Sequence, residues 1–333
     1  MRHPRILGTG PLCYYHVLSR VIERRFIFDV PEREYFQKTM RAQEAFCGVR
    51  VLTWTCLSNH FHILVAVPDR ASAEVQAEIG RLLADDDAFL VRVKCLYAGP
   101  AFDEIQARLL VAREGGAKEE AKLAEIEAIK RPYLERMYDL SAFVGEIKQR
   151  ISQWYNGKNE RTGPLWEDRF KSVLVQGKQG VLATVAAYID LNAVRAGIVQ
   201  DPRHWRWCGY AEAAAAQGRS RQGICEILDE ASGRRDGAEW KGVHRRYRAM
   251  LVAEERNCRD EADESSNSER AGLHQRIRDL GGGLALGSES FVEQVFRANQ
   301  QRMRVKRKTG ARVPPSKCGL GPLRTLLDLR GTE

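Results

Sequence analysis

Two histidines, His60 and His62, stand two residues apart in the run NHFHILV. In a β-strand, side chains alternate faces, so residues i and i+2 point the same way. The two imidazoles would then sit side by side, roughly 6–7 Å apart at Cα, a span that one divalent ion can bridge. A pair of imidazoles leaves coordination positions open, and open positions are what a metal used for chemistry requires. The bland alternative is a strand that carries two partly exposed histidines.

A second pair lies in YIDLN, where Tyr188 and Asn192 are spaced i and i+4. On a helix these share one face, so a phenol and an amide would project together. If that helix covers the histidine strand, the site is two imidazoles, one amide and one phenol. The alternative is Tyr188 in the core with Asn192 capping the turn before Gly197.

The elements that must position these residues follow from pattern. PLCYYHVLSR (11–20) reads as a strand, DVPEREYFQKTMRAQEAFCG (29–48) as a helix, and VRVLTWTCL (49–57) and HFHILVAV (60–67) as a hairpin. Residues 69–135 are charged, alanine-rich and helical in period, an insertion. The pattern resumes with a helix over 140–159, a loop RTGPLWEDRF, a strand KSVLVQG (171–177) and a helix over 178–199. The order β-α-β-β-(insert)-α-β-α predicts an α+β fold, a ferredoxin-like four-stranded antiparallel sheet with helices on one face. A mostly helical C-terminal extension follows: helical residues 211–255, a polar linker over 256–272, and a helical, basic segment over 273–333.

The chain has 333 residues and a net charge of +9, an excess that favours a polyanionic partner. Its eight cysteines form no CxxC pair, which argues against a zinc ribbon or disulfide framework and suits a cytoplasmic protein. No run approaches a membrane span, and no Walker or dinucleotide glycine loop occurs, so neither a membrane nor a nucleotide cofactor is expected.

The set NHFHILV, GPLWEDRFKS and YIDLNAVRAGIV resembles the Y1 transposases of the IS200/IS605 type, and is most similar to REP-associated tyrosine transposases. The resemblance covers about residues 10–210, and the catalytic domain would span residues 1–210. It implies that His60 and His62 are metal ligands, Asn192 a third ligand, and Tyr188 the nucleophile. The implied enzyme is a metal-dependent endonuclease and strand transferase using Mg²⁺ or Mn²⁺. Its substrate would be single-stranded DNA beside a REP-like hairpin, cut through a covalent 5′-phosphotyrosine, by a monomer or a homodimer. The insertion at 69–135 is longer than the family leads one to expect, and the C-terminal third lies outside the resemblance.

Trp166 and Arg169 would stack on a base and clamp a phosphate. Lys148 and Arg150 would track backbone phosphate, as would the cluster Arg302, Arg304, Lys306, Arg307 and Lys308. Tyr155 is a rival nucleophile, and His16 is read as structural. Two other functions stay open: a nuclease in which water attacks, and a DNA-binding protein with a decayed centre.

Overall fold

The computed structural model describes residues 5–116, 118–215, 218–228, 237–263, 283–302, 309–313 and 323–327. In chain order these form β1 (Leu12–Arg20), α1 (Val30–Cys47), β2 (Arg50–Cys56), β3 (His60–Pro68), α2 (Ala73–Ala84), α3 (Asp86–Lys94), α4 (Pro100–Glu114), α5 (Glu119–Leu134) and α6 (Leu140–Lys158). Then come β4 (Lys171–Val175), α7 (Gln179–Asp190), α8 (Asn192–Arg195), α9 (Gly209–Ala214), α10 (Gly218–Ile227), α11 (Gly237–Asp263), β5 (Gly283–Gly287), α12 (Glu289–Asn299) and β6 (Arg324–Leu327). The class is α+β. The chain divides into two compact units, one drawn from residues 1–29, 51–66 and 165–333, the other from 30–50 and 67–164.

The first unit is built on the sheet, in the order β2-β3-β1-β4-β5-β6. β1 and β4 pair antiparallel, with His16 opposite Val173. β4 and β5 pair parallel, and β5 and β6 antiparallel. The sequence pattern predicts four antiparallel strands. The described sheet has six and is mixed, because two strands of the C-terminal third extend it past β4. Composition hides those strands: GLALG is short and glycine-rich, and RTLL is only four residues long.

β3 lies between β2 and β1 and is buried over Phe61 to Val67. A central strand covered on both faces reads as a continuous apolar run rather than an alternating one. β2 is the edge strand, and its edge is covered: Cys56 N–H donates to the Trp207 carbonyl, and Thr55 bridges Cys208. α10 lies so close to β2 that a Cβ on Gly223 would stand 2.2 Å from the Leu52 carbonyl oxygen.

α7 is buried all round, and almost every residue of VLATVAAYID is apolar. The sequence pattern predicts one helix to Gly197. Instead the helix breaks at Leu191 (φ −84°, ψ 1°) and resumes as α8. Gly197 (φ +69°) then ends it in the left-handed conformation that glycine adopts freely.

In the second unit α1 packs on α6, and the insertion folds as the four helices α2–α5. Ser72, Asp85 and Asp139 cap α2, α3 and α6 through their side-chain oxygens. Lys130 of α5 is fully buried; its ammonium pairs with Asp86 at 2.6 Å and donates to the carbonyls of Leu82 and Leu83. α11 runs to Asp263, over the start of the expected linker at 256–272, whose remainder lies outside the described residues.

Candidate functional site

Every residue of the candidate site belongs to the sheet-bearing unit. His60 and His62 share a face of β3, as strand alternation requires. Their rings are 5.1 Å apart between centroids. The ring of Tyr188, on α7, lies edge-on to His62 at 5.5 Å. His16, at the centre of β1, closes the group: its Nε2 lies 2.9 Å from His62 Nδ1, and its ring is 5.9 Å from that of Tyr188. From sequence His16 reads as merely structural; it sits inside the constellation.

A hydrogen bond sets the tautomer of His60. Asn59 Nδ2 donates to the Arg24 carbonyl at 2.9 Å, which orients the amide so that its oxygen faces His60. His60 Nδ1–H therefore donates to Asn59 Oδ1 at 2.6 Å. Burial, and secondarily the charge of Arg20, lowers the His60 pKa to about 4, so the ring is neutral at pH 7 and its Nε2 carries a bare lone pair. His62 is pushed well below its ordinary value, first by burial and then by His16, His60 and Arg20. When His62 Nδ1–H donates to His16, His62 Nε2 is bare as well.

Neither Nε2 has a hydrogen-bond partner among the described residues, and both are buried. Two buried, neutral, unpartnered imidazole nitrogens suit the demand of a divalent ion for deprotonated donors. Among the described residues no group of three or more His, Cys, Asp or Glu could hold a metal ion. An amide oxygen or an oxygen of the substrate could complete the ligand set. Asn192 opens α8, is buried, and its Nδ2 has no hydrogen-bond partner among the described residues.

α7 is held at its C-terminal end by a buried network. Asp190 accepts from Thr53 Oγ1 (2.7 Å), Tyr247 Oη (2.5 Å) and the Tyr210 N–H (3.2 Å). Burial raises its carboxyl to about 6, against the lowering effect of these donors. Arg195 lies over the Tyr188 ring at 5.4 Å, donates to the Tyr188 carbonyl at 3.3 Å, and faces Glu254 at 3.6 Å. Tyr247 and Glu254 are both on α11, seven residues apart and so on one face. One face of α11 thus meets α7 at Asp190 and α8 at Arg195.

The other expected contacts fall in both units. Trp166 is half-buried and leans on Phe28 (5.9 Å) and Phe61 (5.6 Å). Arg169 is exposed. In the second unit, Lys148 is buried, Arg150 pairs with Glu146 at 2.7 Å, and Tyr155 has Arg161 over its ring at 5.9 Å. Arg304, Lys306, Arg307 and Lys308, and the side chain of Arg302, lie outside the described residues.

Residues that sequence reasoning misses are His16, Asn59, Asp190, Arg195 and Tyr247. Arg195 stands in the quoted YIDLNAVRAGIV, two helical turns from Tyr188, and that spacing is a usable signal. The others act through contacts between distant segments.

Residues 10–78 match the family model described as "Transposase IS200 like". No curated protein matches the chain. A solved structure of a REP-associated tyrosine transposase bound to a REP hairpin aligns with 65% of this chain and 86% of its own, at 13% identity and a TM-score of 0.38. No helix among the described residues is long and apolar enough to cross a membrane.

Proposed function

We propose that this chain, which resembles the Y1 transposases of the IS200/IS605 type and matches IS200-like transposases over residues 10–78, cuts and rejoins single-stranded DNA through a covalent tyrosine intermediate. The observation that carries the reading is the meeting of Tyr188 with the His60–His62 pair in one buried cluster. The first four strands lie side by side as β2-β3-β1-β4, which supports a ferredoxin-like reading of that part of the sheet.

Tyr188 is the nucleophile. Its Oη–P bond forms on the 5′ phosphate and the P–O3′ bond breaks. The net proton movement is from the phenol to the departing 3′ oxygen. The reverse attack by a 3′-OH rejoins a strand, so the bond energy is kept and no nucleotide is consumed. Arg195 lies over the phenol ring, donates to the Tyr188 carbonyl and faces Glu254, and so holds the ring in place. Asp190, Tyr247 and Thr53 hold the end of the helix that carries the phenol. Tyr188 is 2% exposed, so binding of the strand must uncover it, and the break at Leu191 divides its helix from α8.

His60, His62 and Asn192 would hold Mg²⁺ or Mn²⁺, with His16 and Asn59 orienting the two imidazoles. When bound, the ion supplies Lewis-acid polarisation of the scissile phosphate. The resemblance carries the DNA polarity and the hairpin beside the cut.

The test is incubation with labelled single-stranded hairpin DNA, with Mg²⁺ and with EDTA, followed by a denaturing gel. A protein-linked DNA band that needs the metal is expected. Cleavage without such a band would instead identify a nuclease that uses water.

A further inference from the structure

The connection from β1 to α1 carries an exposed aromatic that the core does not use. Phe26 is 80% exposed, while its neighbours Ile27 and Phe28 are buried. A single exposed apolar residue is ordinary on a protein surface. Three features set this one apart.

First, it follows two exposed arginines, Arg24 and Arg25, whose side chains form no ion pair among the described residues. Second, the loop is rigidly fastened. Val21 N–H donates to the Asn59 carbonyl, and Ile27 and Phe28 N–H both donate to the Ser58 carbonyl, each at 2.9 Å. Glu23 and Arg24 are held at φ 57° and 56°, which non-glycine residues rarely adopt, so the surrounding bonds dictate the shape. Third, Asn59 ties the loop to the histidine pair: its Nδ2 holds the Arg24 carbonyl while its Oδ1 holds His60 Nδ1. The aromatic is therefore presented on a fixed support whose anchor also orients His60.

We propose that Phe26 is a stacking platform for an unpaired base of the bound DNA strand, with Arg24 and Arg25 on the adjoining phosphates. The proposal rests on the single-stranded DNA reading above and assigns the surface by which the strand is led to the site. An exposed ring next to cationic side chains suits a single strand, because every base has a π-face and every linkage a negative charge. Bases inside a duplex are stacked on both sides and offer no free face to Phe26.

The experiment is fluorescence anisotropy with a labelled DNA hairpin carrying single-stranded extensions and with the same hairpin made blunt. Phe26→Ala should weaken binding of the extended hairpin by about 10-fold and weaken the blunt hairpin, whose unpaired bases are confined to its loop, by less. Phe26→Trp should bind the extended hairpin at least as well as wild type. Replacing Arg24 and Arg25 by alanine should lower the log–log salt slope by about 0.7 for each phosphate that is no longer neutralised. Unchanged affinity of Phe26→Ala for the extended hairpin would overturn the proposal, as would a Phe26→Trp variant as weak as the alanine one. Covalent adduct is measured in the same wild-type sample. Adduct without a Phe26 effect removes the platform alone. A Phe26 effect without adduct removes the strand-transfer reading and leaves the platform.

Discussion

His16 Nε2 lies 2.9 Å from His62 Nδ1, and both rings are buried in neighbouring strands of the sheet. A histidine thus plays toward His62 the part that Asn59 plays toward His60. The direction of that one hydrogen bond decides whether His62 presents a lone pair or an N–H at Nε2.

His16→Gln keeps an acceptor for His62 Nδ1–H, and His16→Leu removes it. The leucine variant should bind Mn²⁺ about 10–100-fold more weakly, and the glutamine variant should approach wild type. Titration calorimetry reads the affinity, and ¹⁵N chemical shifts of His62 read the tautomer directly. Equal affinity in both variants, with His62 unchanged, would make His16 a packing residue.

The two site histidines should differ in what they do for stability. Strand alternation suggests a pair on an accessible face, but His62 is fully buried and His60 only partly so. His62→Ala leaves a cavity and removes the His62 contact of His16 Nε2, and should cost about 2–4 kcal/mol. His60→Ala should cost about 1 kcal/mol or less. Urea unfolding in EDTA measures both, and similar losses would contradict the assignment.

Asp190 gives the stability a pH dependence of known sign. Its folded pKa of about 6 lies above the unfolded value, so the native state binds the extra proton in the window between them. Stability from this group is therefore lost as pH rises from about 4 to 6, by about 2–3 kcal/mol. Asp190→Asn should flatten that part of the profile relative to wild type, read as the difference between their urea midpoints in EDTA. Tyr247→Phe removes one donor to the carboxylate and should steepen it.

The site is legible in the sequence where it rests on local spacing. His60 and His62 share a face because strands have period two, whereas the i, i+4 spacing of Tyr188 and Asn192 is interrupted by the break at Leu191. What escapes depends on pairings between remote segments. The ferredoxin-like expectation puts β1 beside β3 but does not say which residue of β1 will face His62, and nothing near Tyr247 says that it will meet Asp190, 57 residues away. The break at Leu191 is equally hidden, since YIDLNAVRAG keeps helical periodicity straight through it. The first four strands are readable from β-branched and aromatic runs, whereas β5 is glycine-rich and β6 very short.

The basic cluster Arg302, Arg304, Lys306, Arg307 and Lys308 needs a charge test rather than a truncation. Deleting the chain after residue 290 would remove most of α12 and all of β6, which pairs with β5. Replacing the five residues by glutamine should instead lower the salt slope of single-strand binding by about 0.7 for each phosphate that is no longer neutralised. An unchanged slope would place the cluster off the DNA.

Whether Tyr188 bonds to DNA is decided by mass spectrometry of the adduct peptide after nuclease digestion. Tyr188→Phe keeps the ring against His62 and deletes only the hydroxyl, so folding should survive. Wild type and Tyr155→Phe should carry a nucleotide mass on Tyr188, and Tyr188→Phe should bind hairpin DNA without forming any adduct. An adduct that persists in Tyr188→Phe and maps to Tyr155 would take the nucleophile's role from Tyr188.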